Sequence, residues 1–243
     1  MQYWGITDPG CARTQNQDTY QIEQLNKTSL LCVVCDGMGG AKSGNVASTL
    51  AADVFVQEVK RTWTPDMDPE KLDQMLLGAV KLANFTVFDQ AQQFEEFTGM
   101  GTTLVAALIQ GKSATVINVG DSRCYSVKED GVRQLTTDHS LVQMMLKRGE
   151  LAPEQARNYP GKNLITRAIG PESVVECDVF HRRLESGECL LLCTDGLSNL
   201  VDDQEILFEI VHGVNRQSGC ERLLEIAKNR GAPDNVTCVL VQI

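Results

Sequence analysis

Apolar residues along the chain recur with two different spacings, which separate predicted strands from predicted helices. Residues 3–8, 19–25 and 30–35 form short apolar runs typical of strands, and the last run is continuously apolar, as in the centre of a sheet. Two helices are predicted next, at residues 45–61 and from residue 68 to about residue 94, because apolar positions recur there at helical spacing. These helical stripes indicate faces that are buried in a core.

The spacing changes at Gly101, where short strands alternate with turn residues. The predicted strands of this region cover residues 102–109, 114–119, 123–127 and 132–135. Together they form an antiparallel meander, and a short helix is predicted after it at residues 140–148. The polar stretch at residues 149–163 contains two prolines and is typical of a lid or a binding loop.

Strands and helices alternate again in the last third of the chain. The predicted strands cover residues 164–168, 174–184, 188–193 and 236–243, and the predicted helices cover residues 203–211 and 220–230. The whole pattern favours an α+β fold in which two antiparallel sheets pack face to face with helices outside. A length of 243 residues suits one large domain, which we place at residues 1–243 with a flap segment at about 149–163.

Composition limits the partners and the compartment. A net charge of −10 and a pI near 4.8 argue against nucleic-acid binding, which requires a basic surface. No stretch approaches the roughly 20 apolar residues of a membrane span, and the amino terminus lacks the basic and apolar regions of a signal peptide. We therefore expect a cytoplasmic protein that does not insert into membranes.

The nine cysteines are an odd number and lie mainly in apolar runs, where a free thiol behaves as a small hydrophobic group. We predict that they are reduced core residues. Cys32 and Cys35 have a spacing that also occurs at zinc sites, but residues three apart in a strand point to opposite faces. A zinc site is therefore not expected there.

Acidic motifs are spread over the whole chain, and in three of them an Asp stands where an apolar run ends. The motifs are Arg13-x-x-Asn16-Gln17-Asp18, Asp36-Gly37-Met38-Gly39-Gly40, Gly120-Asp121-Ser122-Arg123, Thr194-Asp195-Gly196 and Asp234-Asn235-Val236-Thr237. An Asp-Gly pair alone is more often a turn than a ligand. Several carboxylates at one point, however, repel one another unless they are protonated or neutralised by cations. Because Mg²⁺ and Mn²⁺ prefer oxygen ligands, the combination favours a site for divalent metal.

With these motifs, the chain resembles the metal-dependent protein serine/threonine phosphatases of the type-2C (PPM) family, in particular the compact bacterial members that contain little beyond the catalytic domain. The resemblance extends from Thr7 to Ile243. It implies a four-layer αββα sandwich with the metal site at one end. It also implies hydrolysis of phosphoserine and phosphothreonine in proteins by water activated at a binuclear Mn²⁺ or Mg²⁺ centre. We expect a monomer with a signalling role, whose partners are phosphorylated proteins, including an opposing bacterial serine/threonine kinase.

The resemblance also implies metal-binding roles for individual residues. Asp36 would bridge the two ions, and Gly37 would bind one of them through its carbonyl oxygen. Asp195 and Asp234 would complete the coordination of the first ion, and Asp18 would act through a water bound to metal. The glycines after Asp36 are suited to a sharp turn that presents a carbonyl group to an ion.

Two further motif residues match family positions. Arg13 corresponds to a guanidinium that clamps the substrate phosphate through two hydrogen bonds. Asp121 resembles the residue that, together with Asp195, holds a third and weaker ion in bacterial relatives. An ion pair between Asp121 and Arg123 is the alternative for this position.

Three positions depart from the family pattern. Gln17 stands where many relatives have Glu, which removes one charge near the second ion. Met38 and Ala41 stand where relatives carry His, so this loop has no evident proton donor. His139 is the remaining acid-base candidate, and a water bound to metal is the alternative proton source.

Other interpretations compete with this one. Cys177 and Arg183 have the spacing of cysteine-dependent phosphatases, but the segment between them contains no Gly and is predicted to be a strand. Gly111-Lys112-Ser113 resembles part of a nucleotide-binding loop, but its context is a hairpin. The alternative from another functional class is a non-catalytic phosphoprotein-binding module of the same fold. The presence of every expected carboxylate ligand argues against that alternative.

Overall fold

The strands and helices are given for the residues that the computed structural model describes, 1–40, 43–156, 159–213 and 215–243. In chain order, the strands are β1 (Gln2–Asp8), β2 (Asp18–Asn26), β3 (Ser29–Met38), β4 (Gly101–Thr102), β5 (Leu104–Gln110), β6 (Ser113–Val119), β7 (Arg123–Lys128), β8 (Gly131–Gln134), β9 (Asp178–Arg183), β10 (Cys189–Cys193) and β11 (Val236–Gln242). The helices are α1 (Gly44–Thr62), α2 (Pro69–Gln93), α3 (Leu141–Lys147), α4 (Pro153–Ala156), α5 (Asp195–Ser198), α6 (Asp203–Leu207) and α7 (Arg216–Asn229). A 3₁₀ turn lies at Glu95–Phe97 and a π-helical turn at Phe208–His212.

The strands form two antiparallel sheets that pack face to face. One sheet has the order β1-β11-β10-β7-β8, and the other has the order β2-β3-β5-β6-β9 with β4 paired to the end of β3. Helices α1 and α2 cover the outer face of the second sheet, and α7 covers the outer face of the first. The predicted α+β sandwich of two antiparallel sheets flanked by helices is therefore confirmed.

The central strand β3 is buried on both faces, which explains why its sequence is continuously apolar. Leu31 and Cys35 pack in the core under the helices, whereas Leu30 and Cys32 pack in the core between the sheets. Cys32 and Cys35 thus point to opposite faces, as predicted from their spacing. All nine cysteines are free thiols in the structure.

The strand β3 continues beyond its apolar run. Asp36, Gly37 and Met38 remain in extended backbone because Gly37 pairs with Thr102 and Met38 pairs with Gly101 of β4. The prediction that Asp36 follows the end of a strand is therefore wrong, although it does follow the end of an apolar run. Its side chain projects from a regular strand, which positions it firmly.

Three other strand boundaries differ from the predictions. Residues 164–168 do not form a strand, because Ile165 makes only an isolated bridge to Ser140 and no strand lies alongside the rest of the segment in the described residues. The strand predicted at residues 174–184 covers only Asp178–Arg183. The strand predicted at residues 102–109 is interrupted at Thr103, whose backbone N–H donates to the Asp36 carbonyl at 2.9 Å.

The helix predicted at residues 220–230 begins earlier, at Arg216. Asn215 and Ser218 form a capping box, in which each side chain accepts a hydrogen bond from the other residue's backbone N–H. The first turn is polar and faces solvent, so apolar periodicity starts only at Cys220. The helix predicted at residues 203–211 is present as α6 and the π-helical turn.

None of the helices in the described part of the chain is long and apolar enough to cross a bilayer.

Candidate metal and phosphate site

An acidic cleft of ≈ 280 Å³ brings together residues from motifs that are far apart in the sequence. Its lining includes Arg13, Gln17, Asp36, Gly37, Met38, Gly39, Thr103, Asp121, Asn163, Ile165, Asp195 and Asp234. Apart from Asp18 and His139, every residue that the sequence assigns to the site lies in this lining. The carboxylates come from β3, from the turn after β6, from the start of α5 and from the turn before β11.

Asp18 lies beneath the lining, next to Asp36. The two residues are directly opposite in the antiparallel register of β2 and β3, so their side chains lie on the same face. The Thr194 hydroxyl donates a hydrogen bond to Asp18 Oδ2 at 2.9 Å. The buried Oδ1 atom of Asp18 has no hydrogen-bond partner among the described residues. Burial, followed by the nearby charges of Asp195 and Asp234, raises the pKa of Asp18 to about 7.

Asp36 is fixed through its backbone by hydroxyl groups. Its N–H donates to Thr103 Oγ1 at 2.9 Å, and its carbonyl accepts from Thr102 Oγ1 at 2.9 Å. Thr103 Oγ1 is also 2.6 Å from Ser122 Oγ, which ties Asp36 to the turn that carries Asp121. Burial, and then the charges of the neighbouring aspartates, raise the pKa of Asp36 well above its ordinary value. Sequence analysis missed Thr102, Thr103 and Ser122, because nothing in their spacing indicates this contact.

Gly37 is required by close packing and not by a turn. A Cβ atom at this position would collide with the Gly44 carbonyl oxygen and would lie 2.6 Å from the carbonyl oxygen of Gln17. The Gly37 N–H donates to that same Gln17 oxygen at 3.1 Å. The sharp turn expected after Asp36 comes two residues later than Gly37, at Gly39, where φ is +139°.

Asp195 is the first residue of α5, directly after β10. Its Oδ2 atom accepts a hydrogen bond from Asn199 Nδ2 at 3.0 Å. Burial, followed by the charge of Asp234, raises its pKa. Gly196 packs against the Asn235 carbonyl oxygen without room for a Cβ atom, so α5 and the turn before β11 are in direct contact.

Asp234 is paired with Arg13. Arg13 Nη2 lies 2.9 Å from Asp234 Oδ2, and the two side chains are 53% and 41% exposed.

Asn235, next to Asp234, holds the loop that carries Arg13. Its side-chain amide donates to the carbonyl oxygens of Pro9 (3.0 Å) and Gln15 (2.9 Å). Its Oδ1 atom also accepts from the backbone N–H of Gln17 at 2.8 Å. The role of Asn235 as this clamp was not predicted.

Asp121 follows β6 and is half-buried in the cleft. Burial, then the charges of Asp195 and Asp138, raise its pKa to about 8. The alternative that Asp121 pairs with Arg123 is wrong: the Arg123 guanidinium binds Asp138 instead, with contacts of 2.7 to 3.1 Å. Asp121 is therefore available to the cleft.

His139 lies outside the cleft lining. Its Nδ1 atom accepts a hydrogen bond from the backbone N–H of Gly120 at 3.1 Å, and the backbone N–H of His139 donates to the Gly120 carbonyl at 2.9 Å. Its Nε2 atom is 3.2 Å from Asp178 Oδ2, and burial lowers its pKa. These contacts hold the turn that carries Asp121.

The remaining departures from the family pattern lie around the cleft. Gln17 Nε2 donates to the Gly40 carbonyl at 3.4 Å, which links two of the motifs. Met38 presents a thioether, which cannot donate a proton. Ala41 lies outside the described residues. The flap segment at 149–163 contains α4 and ends at Asn163, which lines the cleft; Arg157 and Asn158 within it lie outside the described residues.

The chemistry of the cleft fits divalent cations. Five aspartates meet at or beneath one surface, yet only Asp234 has a basic partner among the described residues. The orphaned Oδ1 atom of Asp18 and the raised pKa values mark carboxylates that lack neutralisation. Within the described residues, no three His, Cys, Asp or Glu side chains are gathered closely enough to hold an ion. Three of the carboxylates instead contact Arg13, Asn199 and Thr194.

Known proteins resemble this chain over nearly its full length. The family model described as Protein phosphatase 2C matches residues 12–226. The serine/threonine phosphatase stp of Listeria innocua is 36% identical over 236 residues, which cover 97% of this chain and 93% of the relative. The solved structure of serine/threonine phosphatase Stp1 from Staphylococcus aureus has a TM-score of 0.93 at 35% identity, covering 99% of this chain and 94% of that one. The phosphatase PstP/Ppp of Mycobacterium tuberculosis has a TM-score of 0.89 at 33% identity, covering 100% and 98%.

Proposed function

The chain belongs to the protein phosphatase 2C family, and from that premise we propose that its acidic cleft is the catalytic centre of a metal-dependent protein serine/threonine phosphatase. The enzyme removes phosphate from phosphoserine and phosphothreonine in proteins. The observation that carries the assignment to this cleft is the pairing of Asp18 with Asp36, because two adjacent carboxylates of raised pKa require a cation when both are ionised.

We propose that two Mn²⁺ or Mg²⁺ ions are held by Asp36, the Gly37 carbonyl, Asp195 and Asp234, with Asp18 acting through water. The geometry that supports this is the position of Asp36 among the other carboxylates, on a strand fixed by hydroxyl contacts. When bound, such ions lower the pKa of water and neutralise charge on phosphoryl oxygens. Asp121, which is free of Arg123, supports a third and weaker ion shared with Asp195.

Arg13 is proposed to bind the substrate phosphate. Its guanidinium lies at the cleft and is half-exposed, so it can exchange Asp234 for a phosphate without leaving a buried charge unpaired. The exchange would free Asp234 for a metal ion. Within the described lining there is no His, Cys, Lys or Tyr side chain that could protonate the leaving serine or threonine oxygen. Water is therefore the proposed proton donor, and His139 is proposed to act by holding the Asp121 turn.

The partners follow from the activity. The substrates are phosphorylated proteins, and we propose that a bacterial serine/threonine kinase is among them. We also propose that the protein acts as a monomer and that residues 1–243 form one domain with a flap at 149–163. The Listeria relatives named as serine/threonine phosphatases support the substrate class. The cytoplasmic location remains a prediction.

Phosphate release from phosphoserine and phosphothreonine peptides tests the proposal. Activity should depend on Mn²⁺ or Mg²⁺, disappear with EDTA and return with Mn²⁺. Asp36→Asn should lower turnover at least about a hundredfold, which is the scale of losing a main electrostatic stabiliser. Asp130→Asn makes the same chemical change in the exposed turn between β7 and β8 and should leave activity intact. Phosphopeptide binding without hydrolysis would instead indicate a non-catalytic module.

A further inference from the structure

A second groove adjoins the acidic cleft. Its apolar surface is formed by Met38, Ile165, Pro171, Val174 and Val175, and its volume is ≈ 380 Å³. We call it the Val174 groove. Met38 and Ile165 also line the acidic cleft, so the two cavities are adjacent. A protein chain with its phosphorylated residue in the cleft therefore has the groove directly beside it.

The segment at residues 165–176, which carries most of the groove, contains no strand but is held by hydrogen bonds. Buried Asn84 of α2 accepts a hydrogen bond from the N–H of Gly170 at 2.9 Å and donates one to the carbonyl of Glu172 at 3.0 Å. Ile169 exchanges two backbone hydrogen bonds with Thr102, of 2.8 and 3.0 Å. The bend at Gly170 has φ of +105° and leaves no room for a Cβ atom against α2. A groove that is already formed costs less ordering when a chain binds.

The surface of the groove combines aliphatic and acidic character. Val174 is 77% exposed, which places an aliphatic side chain in solvent beside the cleft. Arg167 is the groove's basic residue, and it is already bound to Glu176 (2.9 Å) and Asp178 (3.1 Å). Glu172 is exposed and has no ion pair with any described residue. The groove therefore complements a ligand that is apolar on one side and basic on the other.

We propose that the Val174 groove binds the part of a phosphoprotein substrate next to the phosphorylated residue, and that it prefers an aliphatic side chain accompanied by Lys or Arg. The inference rests on the proposed function of the neighbouring cleft. The aliphatic side chain packs against Val174 and Pro171, and the basic group approaches Glu172. Since an extended chain advances about 3.3–3.6 Å per residue, the preferred residues lie within a few positions of the phosphoresidue. The net charge of −10 also favours basic segments.

Competing substrates test the proposal. One phosphoserine peptide carries Val and Lys on both sides of the phosphoserine, a second carries Ser and Glu at the same positions, and a small aryl phosphate reports the chemistry alone. The variants are Val174→Asp and Glu172→Lys, both on exposed side chains, so that folding is not at risk. Glu221→Lys on the exposed face of α7 is the matched control for the charge change.

The wild-type enzyme should prefer the Val and Lys peptide. Val174→Asp should lower kcat/KM for that peptide about tenfold, and Glu172→Lys should lower it about fivefold while improving the Ser and Glu peptide. Hydrolysis of the aryl phosphate should stay within about twofold of wild type in all variants, and Glu221→Lys should change none of the three rates. Equal effects on both peptides, or no preference in the wild type, would overturn the groove assignment while the phosphatase assignment stands. Failure of the wild type to hydrolyse any of the three substrates with Mn²⁺ would instead overturn the proposed function.

Discussion

Asp18 stands directly opposite Asp36 across β2 and β3, so two carboxylates are built into neighbouring strands at one edge of the cleft. The strand register alone brings them together, and no basic side chain among the described residues neutralises either one. Burial raises both pKa values, and the charges of neighbouring aspartates, including Asp195 and Asp234, raise them further. The fold therefore contains a local electrostatic cost that a bound cation would relieve.

The first prediction concerns the pH dependence of stability in EDTA. The pKa of Asp18 is about 7 in the folded protein, against an ordinary value of 3.8. Between these values the folded state holds more protons than the unfolded state, so stability falls as pH rises toward 7. Asp18→Asn removes the titrating group, and the metal-free variant should be more stable than wild type at pH 8, on the order of 4 kcal/mol. At pH 5 the difference should fall to about 1–2 kcal/mol, because Asp18 is then neutral in the folded protein although it still ionises in the unfolded chain.

Urea unfolding at the two pH values measures this difference. Asp130→Asn is the control and should match wild type at both pH values, because Asp130 is exposed. A variant that differs from wild type by the same amount at pH 5 and pH 8 would show that Asp18 does not titrate in this range. With Mn²⁺ present, Asp18→Asn should lose its advantage, since a cation then stabilises the wild-type carboxylates.

Sequence reasoning predicts the class of fold and the carboxylates of the cleft, because apolar periodicity and short motifs are local signals. Residues 164–168 show its limit: the apolar positions that suggested a strand include Ile165, which lines the cleft and the Val174 groove instead. The hydrogen bond between Asn235 and Gln17 and the one between the Thr103 hydroxyl and Asp36 join segments that are distant in the chain. No local pattern records such contacts, so only the structure reveals them.

A second prediction separates this mechanism from a cysteine-dependent one. Burial raises the pKa of the Cys177 thiol to about 12, so the nucleophilic thiolate is scarce at neutral pH. Residues after Cys177 form β9, which cannot wrap its amides around a phosphate. Cys177→Ser should therefore keep nearly full activity toward phosphopeptides, and thiol-blocking reagents should inhibit only as far as they destabilise the protein. Complete loss of activity in a folded Cys177→Ser protein would contradict the mechanism.

A third prediction concerns Arg13. Because the guanidinium binds phosphate in the ground state as well as in the transition state, Arg13→Ala should mainly raise KM for phosphopeptides. The expected loss is about 1–3 kcal/mol, typical of a charge-assisted hydrogen bond. Arg13→Lys should recover part of the loss, since an ammonium keeps the charge but not the paired geometry. Steady-state kinetics decide the point: an unchanged KM with a lower kcat would exclude a ground-state clamp.

A fourth prediction tests the third ion. Asp121→Ala should leave the two stronger metal sites intact and still impair turnover, because only the third ion is lost. The ion pair between Arg123 and Asp138 should survive, since Asp121 takes no part in it. Calorimetric titration with Mn²⁺ should show that only a weak site is lost. Full activity would mean that Asp121 has no part in the reaction, and loss of a strong site would mean that it belongs to the binuclear centre.

The last prediction concerns Asn235, whose side chain makes three hydrogen bonds to the backbone of the loop that carries Arg13. Asn235→Ala leaves the N–H of Gln17 and the carbonyls of Pro9 and Gln15 without these partners, at a cost of about 1–3 kcal/mol in stability.

Asn235 stands next to Asp234, and Gln17 stands next to Asp18, so loosening this loop displaces two proposed ligands and the phosphate clamp together. We therefore expect Asn235→Ala to raise both the Mn²⁺ concentration needed for half-maximal activity and KM for phosphopeptides, each about tenfold, since small misplacements of a site are costly. Asn229→Ala at the exposed end of α7 is the control and should change neither value. If the folded fraction of Asn235→Ala has normal metal and substrate dependence, Asn235 contributes to stability alone and the loop is positioned by other contacts.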